Sequence, residues 1–265
     1  MVSKSDTPVG KLSMVATPIG NLEDITLRAL RTLKEANIVA CEDTRVTKKL
    51  LAHFDIHTPT VSFHARIGAK GFEKIIKLLE EGKHVALVSD AGTPGVSDPG
   101  LELVSVVREH FAENLNRFEK KSGSPSDSEA GGGPRTFLRN DLNSLVIETI
   151  PGPSALTAAI SVAGLRAPSF TFYGFLPQKK GRDMMFKEIG ANDRASIFYE
   201  SPHRIMKTLE SLVAHLPAGR RIGVFRELTK LFAESVVGSA EEVLVYFTAN
   251  ADKQRGEFVV IVEGV

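Results

Sequence analysis

Several stretches of this sequence hold residues whose types and spacing suit chemistry. The longest is Ser89-Asp90-Ala91-Gly92-Thr93-Pro94-Gly95-Val96-Ser97-Asp98-Pro99-Gly100. Its glycines let the backbone approach a ligand closely, and its prolines fix the loop before anything binds. It exceeds the roughly two to six residues that a strand–helix connection needs. The others are Thr17-Pro18-Ile19-Gly20-Asn21, Pro151-Gly152-Pro153-Ser154-Ala155 and Tyr199-Glu200-Ser201-Pro202-His203-Arg204. All are rich in backbone amides, carbonyls and hydroxyls and poor in fixed charge, which suits a neutral or zwitterionic ligand better than a triphosphate. Asp90 follows an apolar run and is expected to face the ligand. Asp98, just before Pro99, is expected to cap the next helix.

Several familiar chemistries are excluded. No G-x-G-x-x-G follows the first apolar run, so the dinucleotide fingerprint fails. Gly10-Lys11 lacks the upstream glycine and the following Ser or Thr of a phosphate-binding loop. Gly95-Val96-Ser97-Asp98-Pro99 is not a nucleophile elbow, because glycine is missing where that motif requires it. His53 and His57 lie near a helix end with Thr58-Pro59 following, and read as exposed structural histidines. No Cys–His cluster exists to build a zinc site, and no metal is expected.

These loops need strands to hold them. The pattern predicts strands at 12–16, 38–41, 60–63, 84–88 and 145–150, separated by helices at 27–33, 44–54, 72–82 and 101–111. Asp24 or Thr26 is expected to cap the first helix, with Leu27, Leu30 and Leu33 along one face. Strands alternating with helices imply a parallel, covered sheet, and ligands bind such sheets at the strand carboxyl ends. A small-residue helix runs to Gly164. The second half carries strands at 170–175, 195–200, 221–227, 235–238 and 257–263, with helices at 181–189, 202–216 and 240–247. The expected organisation is a polar tail over 1–11, an N-terminal α/β domain over 12–165 and a C-terminal α/β domain over 166–265. Residues 114–144, with Ser122-Gly123-Ser124-Pro125 and Gly131-Gly132-Gly133-Pro134, read as a flexible insertion that cannot bury enough surface to order itself.

Composition sets the remaining bounds. The chain has 265 residues, 42% apolar and 25% charged, enough for a substantial core. A net charge of +1 announces no polyanion, so any nucleic-acid contact must be local. Cys41 stands alone, which excludes an internal disulfide and suits a reducing compartment. No apolar run is long enough for a membrane helix, and the N-terminus lacks a signal-peptide core. A cytoplasmic protein is expected.

Collinear motifs then point to a family. Met14 to Thr26, Cys41-Glu42-Asp43-Thr44-Arg45, the Ser89–Gly100 loop and Pro151 to Ala155 resemble the bacterial small-subunit ribosomal RNA methyltransferase I family. So do Phe198 to Arg204, Arg226-Glu227-Leu228-Thr229-Lys230 and Gly256-Glu257. The resemblance implies the tetrapyrrole-methylase type of fold: two α/β domains, the first sheet mostly parallel and the second mixed, with a ligand cleft between them. It implies S-adenosylmethionine as methyl donor, 2′-O-methylation of a cytidine ribose in small-subunit (16S) ribosomal RNA, and a homodimer. By position the donor would touch Pro18, Ile19, Asp90, Thr93, Val96, Ser97, Ser154 and Ala155, with Tyr199, Arg226 and Glu257 from the second domain. The insertion at 114–144 is longer than the family's connection, and many relatives continue into a helical segment after the last strand.

A ribose hydroxyl needs a base or a cation near its developing oxyanion. Lys230, Glu227 and Glu200 are the candidates, with Lys230 expected nearest the hydroxyl. Alternatively, Arg226-Glu227 and Glu42 to Arg45 are ion pairs that only hold loops. RNA phosphates need cations, and Arg45, Lys48, Lys49, Lys179, Lys180, Arg182 and Arg204 are the local basic sets. The assembled small subunit is the expected partner. Two other functions stay open: a methyltransferase of the same fold acting on a tetrapyrrole or a protein side chain, and a non-catalytic S-adenosylmethionine-binding protein.

Overall fold

The computed structural model describes residues 10–64, 69–122 and 145–265. The expected tail over 1–11 lies almost wholly outside them, as do residues 123–144 of the expected insertion. Contacts divide the chain into two units. One holds the described residues up to Pro18 and from Asp24 to Gly152; the other holds Ile19–Glu23 and Pro153–Val265.

The first unit contains β1 (Lys11–Val15), α1 (Leu27–Glu35), β2 (Ile38–Cys41), α2 (Thr44–His53), β3 (Thr60–Ser62), α3 (Ala69–Glu80), β4 (His84–Val88), α4 (Gly100–Ser122) and β5 (Val146–Ile150). All pairings in its sheet are parallel, in the order β3-β2-β4-β1-β5. β2 and β4 are short apolar runs because helices cover both faces of the sheet. On one face Ala29 and Leu33 of α1 and Leu51 of α2 meet Val15, Val39 and Val88. On the other, Ile75 and Leu79 of α3 and Leu103 and Val107 of α4 meet Leu12, Ala40 and Leu87. Thr26 caps α1, its hydroxyl accepting from the Ala29 N–H at 3.0 Å. Leu27 is 84% exposed, so the packed stripe of α1 runs through Ala29, Thr32 and Leu33 instead. α4 extends past Phe111 to Ser122, through the first part of the stretch expected to interrupt the fold.

β1 leads through α1 to β2 on one side, while β4 leads through α4 to β5 on the other. Their connections leave adjacent strands toward opposite faces. The carboxyl ends of β1 and β4 therefore form the topological switch point, where an open parallel sheet offers a crevice.

The second unit contains α5 (Ala155–Ala163), β6 (Phe170–Phe175), α6 (Arg182–Ala191), β7 (Ala195–Glu200), α7 (Ile205–His215), β8 (Arg221–Arg226), β9 (Glu234–Ser239), α8 (Ala240–Ala249) and β10 (Phe258–Val262). Its sheet, ordered β6-β7-β10-β8-β9, is mixed: β6 and β7 are parallel and the other pairs antiparallel. α6, α7 and α8 cover one face around Phe186, Leu209 and Phe247. α5 covers the other, Ala159 and Ala163 lying against Ile197, Phe225 and Ile261. That packing groups α5 with the second sheet, so the division falls after Gly152 rather than at 165/166.

Candidate functional site

At the switch point the loops after β1 and β4 are joined directly. The Thr17 N–H donates to the Gly92 carbonyl at 2.9 Å, and the Gly92 N–H returns to Thr17 at 3.1 Å. Pro18 follows this bridge and is buried. Along the β4 loop, Thr93 and Val96 are half-buried, and Asp90 and Ser97 are exposed. Ser97 takes a left-handed conformation, φ 67°, which costs a non-glycine residue of order 1–3 kcal/mol. Asp98 caps α4 as expected: its Oδ1 accepts from the Gly100 N–H at 2.7 Å and from Gly95 at 2.8 Å. Asp90 Oδ1 accepts the Asp43 N–H at 3.0 Å, which ties the loop after β2 to that after β4.

At the crevice end of this sheet Glu42 lies within the influence of Asp90 and Asp98, a grouping that sequence reading missed. Burial pushes the Glu42 carboxyl up, and the charges of Asp90 and Asp98 push it further. Asp43 is committed to Arg45 through a 2.6 Å ion pair; this hydrogen bonding holds the Asp43 carboxyl down at about 2. The signal for Glu42 was its place at the carboxyl end of a buried strand next to an aspartate. The wide separation of Glu42 and Asp90 in sequence hid their contact.

In the second unit the turn after β8 is tightly constrained. Glu227 and Thr229 both have positive φ, 51° and 67°. The turn is held by backbone bonds from Glu227 N–H to the Glu257 carbonyl and from Lys230 N–H to the Glu227 carbonyl, both 3.0 Å. Thr229 Oγ1 accepts the Asn21 N–H at 3.3 Å. The Lys230 ammonium lies 2.8 Å from Glu227 Oε1 and 2.9 Å from Glu257 Oε2. Burial alone would lower the Lys230 pKa, but hydrogen bonds to Glu227 and Glu257 outweigh it and the net shift is upward. Burial likewise opposes ionisation of Glu227, yet the Lys230 and Glu257 hydrogen bonds take its pKa down. Lys230 is thus a fixed cation and a poor base. Gly256, at φ 99°, lies so close to Glu227 that a Cβ would sit 2.5 Å from its Cγ.

Arg226 is 6% exposed, its Nε at 3.3 Å from Glu234 and its Nη1 donating to the Arg255 carbonyl. It anchors the β8 end through these contacts, while Glu257 is open to solvent. Ser154 starts α5, and Ala155 opens its first turn. The Ser154 side chain and the Leu156 N–H hydrogen-bond to Tyr199, whose hydroxyl pKa is nevertheless raised by burial. Ile19 is half-buried in the segment that groups with this unit.

Glu200 does not fit the role of a base. Its side chain has no exposed surface, and Arg182 at 3.2 Å and Arg204 at 2.7 Å flank it. Thr208 Oγ1 donates to it at 2.7 Å and the Ser201 N–H at 2.8 Å. Arg182 and Arg204 are correspondingly removed from the RNA candidates, with only 16% and 19% of their side chains exposed. Each makes a further inward bond: Arg182 Nη1 to the Pro177 carbonyl at 3.0 Å and Arg204 Nη1 to the Leu176 carbonyl at 2.9 Å. Arg45, Lys48 and Lys49 are exposed on α2, and Lys179 and Lys180 on the loop after β6. Among the described residues no cluster of His, Cys, Asp or Glu is placed to hold a metal ion. No described helix is long and apolar enough to cross a membrane.

A family model described as Tetrapyrrole (Corrin/Porphyrin) Methylases matches residues 11–114 and 121–244. A protein named ribosomal RNA small subunit methyltransferase I from Halalkalibacterium halodurans is 42% identical over 96% of this chain and 76% of its own. One of the same name from Thermotoga maritima is 38% identical over 97% of this chain and 99% of its own. The chain belongs to the ribosomal RNA small subunit methyltransferase I branch of the tetrapyrrole methylases. Among solved structures, uroporphyrin-III-C-methyltransferase from Thermus thermophilus aligns at TM-score 0.55 and 19% identity, over 95% of this chain and 94% of that one. The methyltransferase CobJ aligns at TM-score 0.61 and 18% identity, over 97% and 95%. These two establish the shared fold.

Proposed function

We propose that this chain transfers a methyl group from S-adenosylmethionine to the 2′-oxygen of a cytidine ribose in small-subunit (16S) ribosomal RNA. The observation that carries the reading is the near-full-length match, at about 40% identity, to proteins named for ribosomal RNA small subunit methylation. The proposed substrate is the assembled small subunit, met in the cytoplasm by a homodimer.

The residues present fit the donor. S-adenosylmethionine is a sulfonium that also carries an ammonium, and the switch-point end offers Glu42 and Asp90, backbone carbonyls and hydroxyls, with its arginine already paired to Asp43. In this reading Pro18, Ile19, Asp90, Thr93, Val96, Ser97, Ser154 and Ala155 are the proposed donor contacts. Tyr199, Arg226 and Glu257 shape the loops around them in the sequence. When bound, the donor supplies a methyl group open to in-line attack, so positioning provides much of the acceleration. Transfer would form the C–O bond and break the C–S bond, with the electron pair left on sulfur and the hydroxyl proton passing to solvent. Lys230 stabilises the negative charge developing on the ribose oxygen, and Glu227 keeps that ammonium charged and aimed. Removing one such preorganised donor costs about 10²–10³ in rate.

The test is transfer of labelled methyl to assembled small subunits and to protein-free RNA, followed by alkaline digestion. A 2′-O-methyl group blocks cleavage at its own nucleotide, so the label is expected in an alkali-resistant dinucleotide. Tight donor binding with label in neither substrate overturns the reading. Label in alkali-sensitive mononucleotides refutes the ribose as acceptor.

A further inference from the structure

β6 pairs with β7 in a register that shifts between Phe172 and Phe175. Phe172 faces Ile197 and Phe175 faces Tyr199, so three steps along β6 match two along β7. Gly174, at φ 62°, absorbs the extra residue. In a regular strand an odd separation sends side chains to opposite faces. The bulge instead brings both phenylalanines onto Tyr199, with ring centroids 5.0 Å (Phe172) and 5.5 Å (Phe175) from it. Bulges that re-aim a side chain are characteristic of sites. Phe172 is half-buried in this contact, whereas Phe175 remains 56% exposed.

The segment after Phe175 is clamped from beneath. Leu176 and Pro177 offer their carbonyls to Arg204 and Arg182, and both arginines are held by the fully buried Glu200. The clamp fixes the root of a loop that presents Lys179 and Lys180 to solvent. Four or five residues reach at most about 14–18 Å from the ring. An exposed aromatic ring, held by its neighbours and followed closely by cations, has the chemistry of a single-stranded nucleic-acid platform.

We infer that Phe175 is a stacking surface for an unpaired base of the RNA, with Lys179 and Lys180 neutralising adjacent phosphates and Glu200 acting as the positioning residue of this loop. This rests on the RNA reading above and adds the element that holds the strand. The methyl donor is the less suitable occupant, because two lysines repel a sulfonium and attract a phosphodiester.

The experiment measures binding of labelled, protein-free small-subunit ribosomal RNA across a salt series, and S-adenosylmethionine binding separately, for the full chain. Phe175→Ala is expected to weaken RNA binding about tenfold or more without changing its salt slope, and to leave donor binding unchanged. Phe175→Trp, which keeps a stacking face, retains RNA affinity and controls for folding. Lys179→Ala with Lys180→Ala is expected to flatten the salt slope by one to two. Parental RNA affinity in Phe175→Ala overturns the inference. So does loss of donor binding in that variant while Phe175→Trp keeps it, which would assign the ring to the donor. Because binding is read without turnover, an enzyme that fails to methylate RNA refutes the proposed activity and leaves this measurement intact.

Discussion

Gly20 offers a perturbation that reaches Lys230 without altering it. A Cβ built on Gly20 would lie 2.4 Å from Lys230 Cγ, 2.8 Å from Cε and 3.1 Å from Cδ. Carbon atoms settle at about 3.5–4.0 Å, so in Gly20→Ala the lysine stem must retreat by about 1 Å. The ammonium then leaves the position fixed by Glu227 at 2.8 Å and Glu257 at 2.9 Å. A misplacement of about 1 Å in a positioned group costs up to about 10²-fold, or about 2.7 kcal/mol of barrier. Gly20→Ala is therefore expected to lower the single-turnover rate of methyl transfer by about one to two orders of magnitude at saturating donor and RNA. The decisive form is a double-mutant cycle. Lys230→Ala removes Cγ, Cδ and Cε, the atoms the new methyl would strike, so in that background Gly20→Ala should lose its steric cost and keep only the strain of an alanine at φ 157°. Losses that multiply in full would refute the reasoning, because Gly20 would then act entirely through something other than the lysine. A parental rate in Gly20→Ala alone would refute it as well.

Glu200→Gln should leave two inward-facing arginines uncompensated and destabilise the chain by about 3 kcal/mol, lowering Tm by about 6–12 °C in a thermal melt; an unchanged Tm would remove the clamp. Glu42→Gln should raise Tm at pH 7, because Glu42 titrates above its ordinary value and its ionised form opposes folding. The gain should shrink as pH falls through the Glu42 pKa, where the parental carboxyl becomes neutral, and a constant gain would argue against the charge. The Lys230 pKa lies above the ordinary lysine value, so its charge and the stability it lends are present up to the ordinary lysine range and are lost only as pH rises beyond it. The single-turnover rate should therefore show no ascending limb between pH 8 and 10. A lysine acting as base would give one.

Much of this architecture was legible because its strands are apolar runs bounded by turn residues. Ile38–Cys41, His84–Val88, Phe170–Phe175 and Ala195–Glu200 fall where the pattern placed them. α4 ran longer than expected because its continuation, Asn114 to Ser122, carries charged and polar residues that read as loop. The bulge at Gly174 left one signal, a glycine inside an apolar strand, but periodicity alone could not say which face Phe175 would take. The turn from Glu227 to Lys230 has no sequence signature of strain, since its positive φ values fall on glutamate and threonine.

The charged residues show why motif reading needs a test of accessibility. Glu200, Arg204, Arg226 and Lys230 all lie in stretches that looked chemical, yet of these four Lys230 has the most exposed side chain, at 28%, and sits in a turn with two positive φ values. A buried carboxylate between two arginines cannot accept a proton from a ribose without losing its partners, and that loss costs several kcal/mol. Such a carboxylate contributes by fixing the carbonyls of Leu176 and Pro177 and the loop beyond them. An ammonium between Glu227 and the solvent-facing Glu257 can exchange one of its acceptors for a developing oxyanion at little cost, because Glu257 is 79% exposed and water replaces the bond. The same ion-pair chemistry thus has two expected uses, separated by the burial of the carboxylate: Glu200, with no exposed side chain, is expected to hold a loop, and Glu257, at 79% exposed, to release its cation.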